Sequence, residues 1–394
     1  MKNKQKQKTN FETNKKMTII VLAIAAIILL LGRVVVVDKK EQQHKTGDYV
    51  EYEVGKINQI LADNCQPDEN ADGAYRGEQL LIVNVTSGQY KGKQMQAYNY
   101  VSPLYNTPLK VNDNVVLIIS TYENGKVNAS VYEFSRFIPL VIVLALFIVV
   151  NILIGGKTGV KSLISLLFTI LCLFLVLIPA LLKGAPVILT TYLVAIYITI
   201  VSLVLLNGVC KKTIGSAIGS ISGITIAIIF SFVCQWLTKI NGLREADTEA
   251  LLQMRQTGEA AIGLKGLLIG GIIISCLGAV MDVTMGIASS MQEVAQANPD
   301  YSFKQLVQSG LNVGKDMVGT MTNTLILAFL GSEFTYIIYL FSLSLSFHQL
   351  ISSSYMAVEM ISALASCVGI ILSIPITALA SGWVFTKKAK LTNK

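Results

Sequence analysis

Five carboxylates lie within or at the ends of long apolar runs: Asp282, Glu293, Asp316, Glu333 and Glu359. At the centre of a bilayer an unpaired charge costs at least about 2.5 kcal/mol, so an acid placed there must hold a proton, a cation or a cationic substrate. Within the last four apolar runs the one basic residue is Lys265, near an outer end. At helical spacing Asp282 shares a face with Ser275, Gly278, Gly286, Ser289 and Glu293. Asp316 shares one with Gly319, Thr320 and Asn323, and Glu359 shares one with Ser352, Ser362, Ser366, Ser373 and Thr377. Small and hydroxyl-bearing neighbours suit a hydrated path or a cation site better than a dry core. Thr320 and Asn323 would then serve as neutral ligands.

A plainer reading stands beside this one. Asp282 lies about 20 residues into its run, roughly 30 Å at 1.5 Å per residue, which reaches the far interface. Asp316 and Glu293 fall near the same level, where ionisation is cheap. Glu333 follows Gly331-Ser332 at a break and can cap free backbone N–H groups instead. Asp300, in the polar connector Asn298-Pro299-Asp300, reads as solvated.

The elements that must position these acids are membrane spans. Of 394 residues 53% are hydrophobic and only 14% charged, and the mean hydropathy is +0.58. A soluble domain carries about 25% charge, so a soluble enzyme and a disordered chain are both excluded. Apolar runs long enough to cross a core of roughly 30 Å fall at 137–154, 162–182, 185–206, 214–236, 262–289, 317–347 and 355–385. A further run at 17–31 follows six lysines. A basic segment before an apolar stretch also fits a cleaved signal peptide. The exit Leu30-Leu31-Gly32-Arg33 lacks the small-x-small pattern, so the run reads as a signal anchor and the count is eight. Gly215, Gly219 and Gly223 recur every four residues, and Gly263, Gly266, Gly270, Gly271 and Gly278 crowd the next run. Such small residues let helix backbones approach closely.

Lysines set the expected orientation. With the first residues inside, the cytoplasmic segments hold Lys157 and Lys161, Lys211 and Lys212, Lys304 and Lys315, and finally Lys387, Lys388, Lys390 and Lys394. The net acidic stretch 238–261 then falls outside. So does 38–136, where the pattern changes from apolar runs to alternation. Residues 38–133 hold 9 Lys and Arg against 13 Asp and Glu, a net of −4. Strands are expected at 79–86, 94–101, 115–120 and 127–134, with Asn124-Gly125 as a hairpin turn. Five or six short strands in about 100 residues predict a small OB-like β-barrel. The domains are therefore 1–37 (basic tail and anchor), 38–136 (extracytoplasmic β domain) and 137–394 (seven-helix membrane domain).

Other chemistries lack their residues. Cys65 is the one cysteine of 38–136, no CxxC occurs, and the two histidines, His44 and His348, are far apart. Zinc finger, haem attachment and Cys/His nucleophile are excluded, and no Walker motif supports ATP hydrolysis. The net charge of +8 comes with no basic, aromatic-interleaved patch, so nucleic acid is not an expected partner. No cofactor, metal ligand set or catalytic residue is assigned.

Two motifs are familiar. Gly278-Ala279-Val280-Met281-Asp282-Val283-Thr284-Met285-Gly286-Ile287-Ala288-Ser289-Ser290 resembles the signature of the YibE/F family of bacterial membrane proteins. So does Gly314-Lys315-Asp316-Met317-Val318-Gly319-Thr320-Met321-Thr322-Asn323-Thr324-Leu325, with the linked Leu306-Val307-Gln308-Ser309-Gly310. An anchor, a small β domain with Lys91-Gly92-Lys93 and a multi-span remainder match the family layout. The resemblance implies a bacterial cytoplasmic membrane and an architecture, and no activity. Asp282, Asp316, Thr320 and Asn323 are the positions matching its polar motifs.

The expected function is a permease for a small solute or ion, with Asp282, Glu293, Asp316, Thr320, Asn323 and Glu359 along its path. Its expected partners are the lipid bilayer and that solute or cation. Two other expectations differ in class. One is an accessory or envelope-sensing protein whose β domain binds a partner. The other is an intramembrane enzyme whose paired aspartates share a proton and activate water, although the motifs of the paired-aspartate intramembrane proteases are not seen.

Overall fold

The structure is a computed structural model that describes residues 49–122, 125–240, 246–258, 261–264 and 266–386. The expected anchor at 17–31, the terminal lysines and Lys265 lie outside the described residues. The chain divides into two compact units, one of Asp38–Ile154 and one of Gly155–Lys394 with Met1–Val37.

Alternation builds the first unit. Strands β1 (Tyr49–Asp63), β2 (Gln66–Pro67), β3 (Tyr75–Val85), β4 (Gln94–Val101), β5 (Asn114–Thr121) and β6 (Val127–Phe134) turn every second side chain inward. Ile57, Leu81, Val83, Val115, Leu117 and Ile119 meet there in a fully buried core. The order β1-β5-β6-β4-β3 closes by pairing β3 back onto β1, with the short β2 on the far edge of β3. One strand serves both ends of that circuit. Bulges after Ile57 and Ile60 bend β1, so that Tyr49–Lys56 pairs with β5 and Gly55–Asp63 with β3. The short β4–β6 pairing is parallel, Ala97 to Ala129 and Tyr98 to Ser130. This is a five-stranded barrel of the OB-like kind expected. The same bulges hid β1 in the sequence, because each shifts the two-residue period.

A buried polar knot ties the connection between β4 and β5 to the barrel. Gln79 donates from Nε2 to Asp63 Oδ2 at 2.8 Å and to the Leu109 carbonyl at 3.2 Å. Its Oε1 accepts from Asn99 Nδ2 at 3.0 Å and from the Leu109 N–H at 2.9 Å. Gln79 and Asn99 are both fully buried.

The rest of the described chain is helical, its first helix beginning in the first unit and the others lying in the second. α1 runs over Phe137–Leu182, followed by α2 (Val187–Asn207), α3 (Lys211–Thr238), α4 (Ala246–Gln256) and α5 (Leu267–Ala297). Then come α6 (Phe303–Ser332), α7 (Phe334–Ser342), α8 (Phe347–Ile351) and α9 (Ser354–Thr386). Among the described residues five helices are long and apolar enough to cross a membrane, or six if the bent pair α6–α7 is one span. The expected eight differ for two reasons. Runs 137–154 and 162–182 are joined in α1, interrupted at Gly156, whose φ of 52° together with ψ of −131° glycine alone adopts without strain. The anchor lies outside the described residues. The run expected at 317–347 begins earlier, because Ser302 and Gln305 form a capping box that starts α6 at Phe303.

Close approach holds the centre of this unit together. α9 runs antiparallel to α3, and Gly215, Gly219 and Gly223 face Ser381, Thr377 and Ser373. A Cβ on Gly219 would stand 1.9 Å from Thr377 Oγ1 and one on Gly215 2.3 Å from Ser381 Oγ, so only a bare backbone fits. Ser220 and Thr284 share a 2.7 Å hydroxyl bond between α3 and α5.

Candidate functional site

The expected site residues do not meet at one place. Asp282 on α5 and Asp316, Thr320 and Asn323 on α6 are exposed on the surface of their unit, as is Glu293. Height can be read from the packing of this helical hairpin. Gly310 lies against Met291, Gly314 against Ile287 and Gly286 against Met317, a register that puts Asp282 level with about Thr320. Asp316 is then about one turn away along the axis. The Thr320 hydroxyl is engaged at home, donating to the Met317 carbonyl at 3.1 Å. Glu293 lies a further 11 residues along α5 from Asp282.

The hydroxyl stripe expected to flank a hydrated path is dry where it can be seen. Ser362, Ser366, Ser373 and Thr377 of α9 are buried, and each donates to a carbonyl three or four residues earlier in its own helix. Ser373 and Thr377 fill the space left by the α3 glycines. Hydroxyls satisfied in this way behave as small packing groups. Ser352 alone of that stripe is exposed.

Carboxylates do converge elsewhere, at the bend. α6 and α7 meet at 62° across the single residue Glu333. A break of that kind leaves the first N–H groups of α7 without helical partners, and a carboxylate there is expected to cap them. It does not cap them: the Glu333 side chain makes no cap bond and accepts instead from the Tyr355 hydroxyl at the start of α9. The antiparallel packing of α6 on α9 brings these residues together. Gly310 meets Ala378 and Gly314 meets Ile374, and the same register carried to the bend pairs residue 333 with 355. Tyr336 of α7 lies against Tyr355, with ring centroids 3.9 Å apart.

One turn after Tyr355 on α9 stands Glu359, which shares a cavity beside the bend with Glu333. Glu333 and Glu359 both line it, and its other walls are apolar: Ile326, Phe329, Leu330 and Ile337 from α6 and α7, and Met356, Met360, Ala363 and Leu364 from α9. Glu333 and Glu359 are each half-buried. The surface this cavity exposes is almost wholly hydrocarbon, and the Tyr355 hydroxyl that holds Glu333 lies outside its lining. Asp316 is 17 residues from Glu333 along α6, about 25 Å, so it belongs to another level.

Of the six residues expected from the sequence along the path, this cavity contains Glu359 alone. Glu333 was read there as an alternative between capping and function, and Tyr355 was not singled out. A signal was present: Tyr355 and Glu359 stand four apart on one helical face. Among the described residues no three His, Cys, Asp or Glu side chains are grouped to hold a metal ion.

A family model described as YibE/F-like protein matches residues 143–387. A second, described as YibE/F family N-terminal domain, matches 48–134, the span of the barrel. No curated protein and no solved structure matches the chain.

Proposed function

The chain belongs to the YibE/F family, and from that premise we propose that it is a membrane permease which moves a small solute or ion with a proton or cation held at Glu333 and Glu359. One observation carries this reading: two carboxylates from separate helices line one otherwise apolar cavity beside a bent helix. In hydrocarbon surroundings two neighbouring negative charges are expensive, so a proton or a cation must accompany them. A bent or broken helix beside intramembrane polar groups is the arrangement in which secondary carriers hold coupling ions. Movement of α7 about Glu333 would open and close the cavity, and the Tyr355 hydroxyl would hold Glu333 while the cavity is shut.

The topology that goes with this reading has eight spans. α1 supplies two, divided at Gly156, α6 and α7 together one, and the segment at 17–31 acts as signal anchor. Both termini are then cytoplasmic, the barrel is extracytoplasmic, and the membrane is the bacterial cytoplasmic one. Asp282 and Asp316 serve at a second level of the path, and Thr320 and Asn323 flank them.

Reconstituted vesicles test the proposal without a known substrate. Vesicles holding a pH-sensitive dye should relax an imposed proton or monovalent-cation gradient faster with the protein than without it. Glu333→Gln together with Glu359→Gln should remove that flux, and Asp300→Asn, in the exposed connector, should leave it intact. Equal flux in the double variant, inserted at wild-type level, would sink the reading.

A further inference from the structure

The barrel carries a second candidate site on its outer face. Alternation along β4 turns Gln94, Gln96, Tyr98 and Tyr100 to solvent, while Ala97 and Asn99 point inward. Next to them β6 turns out Asn128 and Ser130. The β4–β6 pairing is only two residue pairs long, and these six side chains line a groove there together with Ser120, Tyr122 and the apolar Met95, Val127 and Ala129. Tyr98 and Tyr100 stack along one wall, ring centroids 6.0 Å apart and 14° from parallel. They remain 45% and 59% exposed, so two aromatic surfaces face water with amides beside them.

We propose that this groove binds an uncharged polysaccharide strand. Aromatic faces carry a negative quadrupole and attract the C–H face of a pyranose ring. A sugar hydroxyl both donates and accepts, and so does each carboxamide, so Gln94, Gln96 and Asn128 can satisfy hydroxyls in either sense. Charge excludes the obvious competitor. Among the described residues no Lys, Arg, Asp or Glu lines the groove, and 38–133 is net −4, whereas single-stranded nucleic acid needs a cationic track. A proline-rich peptide also docks on tyrosines. Its backbone offers few donors, however, and the amide oxygens of the groove would lose their water unpaired.

The test uses the full-length protein in an amine-oxide detergent, because sugar-headed detergents would occupy the groove. Chitohexaose and cellohexaose are the probes, with a proline-rich decapeptide and a thymidine oligonucleotide for comparison, all measured by calorimetry. At least one hexaose should bind. Tyr98→Ala and Tyr100→Ala should each weaken it about tenfold, Gln96→Ala should weaken it less, and Tyr98→Phe, which keeps the ring face, should bind as wild type. Tyr132→Ala, exposed outside the groove, should change nothing. Each of these side chains points away from the core, so the barrel should survive all of them. The proposal is overturned if neither hexaose binds, if binding survives loss of both tyrosines, or if only the peptide or the oligonucleotide binds. None of these outcomes touches the cavity at Glu333, which stands or falls separately.

Discussion

At the scale of the residue, the decisive distinction is between acids that share an environment and acids that stand apart. Glu333 and Glu359 line one cavity, whereas Asp282 and Asp316 are exposed on α5 and α6. Single Glu333→Gln and Glu359→Gln variants should each slow flux at least tenfold, and Tyr355→Phe should slow it less, since it removes one hydrogen bond and no charge. Asp282→Asn should cost less than either, measured in the same vesicles; a larger loss there would move the site to the other level. In the barrel, Gln79 makes four hydrogen bonds, three of them buried, so Gln79→Leu should destabilise it by roughly 1–3 kcal/mol through the polar groups left unpaired. Asp63 has a pH signature. The Cys65 backbone N–H and then the Gln79 amide hold its carboxyl below the usual range. A lowered value favours the folded state above the unfolded pKa, near about 4, and that contribution is lost as the pH falls through the folded value. Asp63→Asn should therefore flatten the acid limb of barrel unfolding followed by circular dichroism. An unchanged limb would show that the bonds are too exposed to matter. Cys65, pushed up to about 11 by burial and then by Asp63, should alkylate slowly at neutral pH.

At the scale of the element, small residues decide how closely helices meet. Gly219 and Gly271 look alike in sequence, each on a glycine-rich apolar run. A Cβ on Gly219 collides with Thr377, while one on Gly271 meets nothing within 4 Å. Gly219→Ala should cost about 1–3 kcal/mol by overpacking, and Gly271→Ala should be neutral or slightly stabilising because alanine favours the helix. Thermal unfolding in detergent should separate the two; equal melting temperatures would refute the close contact. The strands show the opposite case. The alternation of β3 to β6 could be read from the sequence because each strand keeps its period, whereas β1 escaped through its two bulges and β2 because two residues show no period. Helix ends were harder. The broken run at 317–347 was visible at Gly331-Ser332-Glu333, but its bend angle and the partner of Glu333 were not, since both depend on where α9 lies.

At the scale of the whole molecule, the chain joins a barrel to a membrane unit, and each should behave according to its own composition. Residues 38–136, expressed alone without oxidant, should give a monomeric β-rich spectrum, because about 100 residues bury enough surface to fold without staples. A helical or disordered spectrum would contradict the barrel. A reporter inserted at Gly73 should score outside and one fused after Lys394 inside; matching scores would overturn the even span count. Length and spacing in the sequence alone determined the membrane class, the change of character near residues 38 and 136 and four of the strands, and two short motifs pointed to the family by resemblance. These are local properties: a run of apolar residues or a two-residue period does not depend on what it packs against. The candidate site is not local. Glu333 and Tyr355 are 22 residues apart and meet because α6 bends by 62° and α9 returns antiparallel along it. Likewise, Ser373 and Thr377 are dry because Gly223 and Gly219 of α3 admit them, 150 or more positions away in the chain. Which polar face becomes a cavity and which becomes core depends on the helix that covers it, and only the tertiary structure decides that.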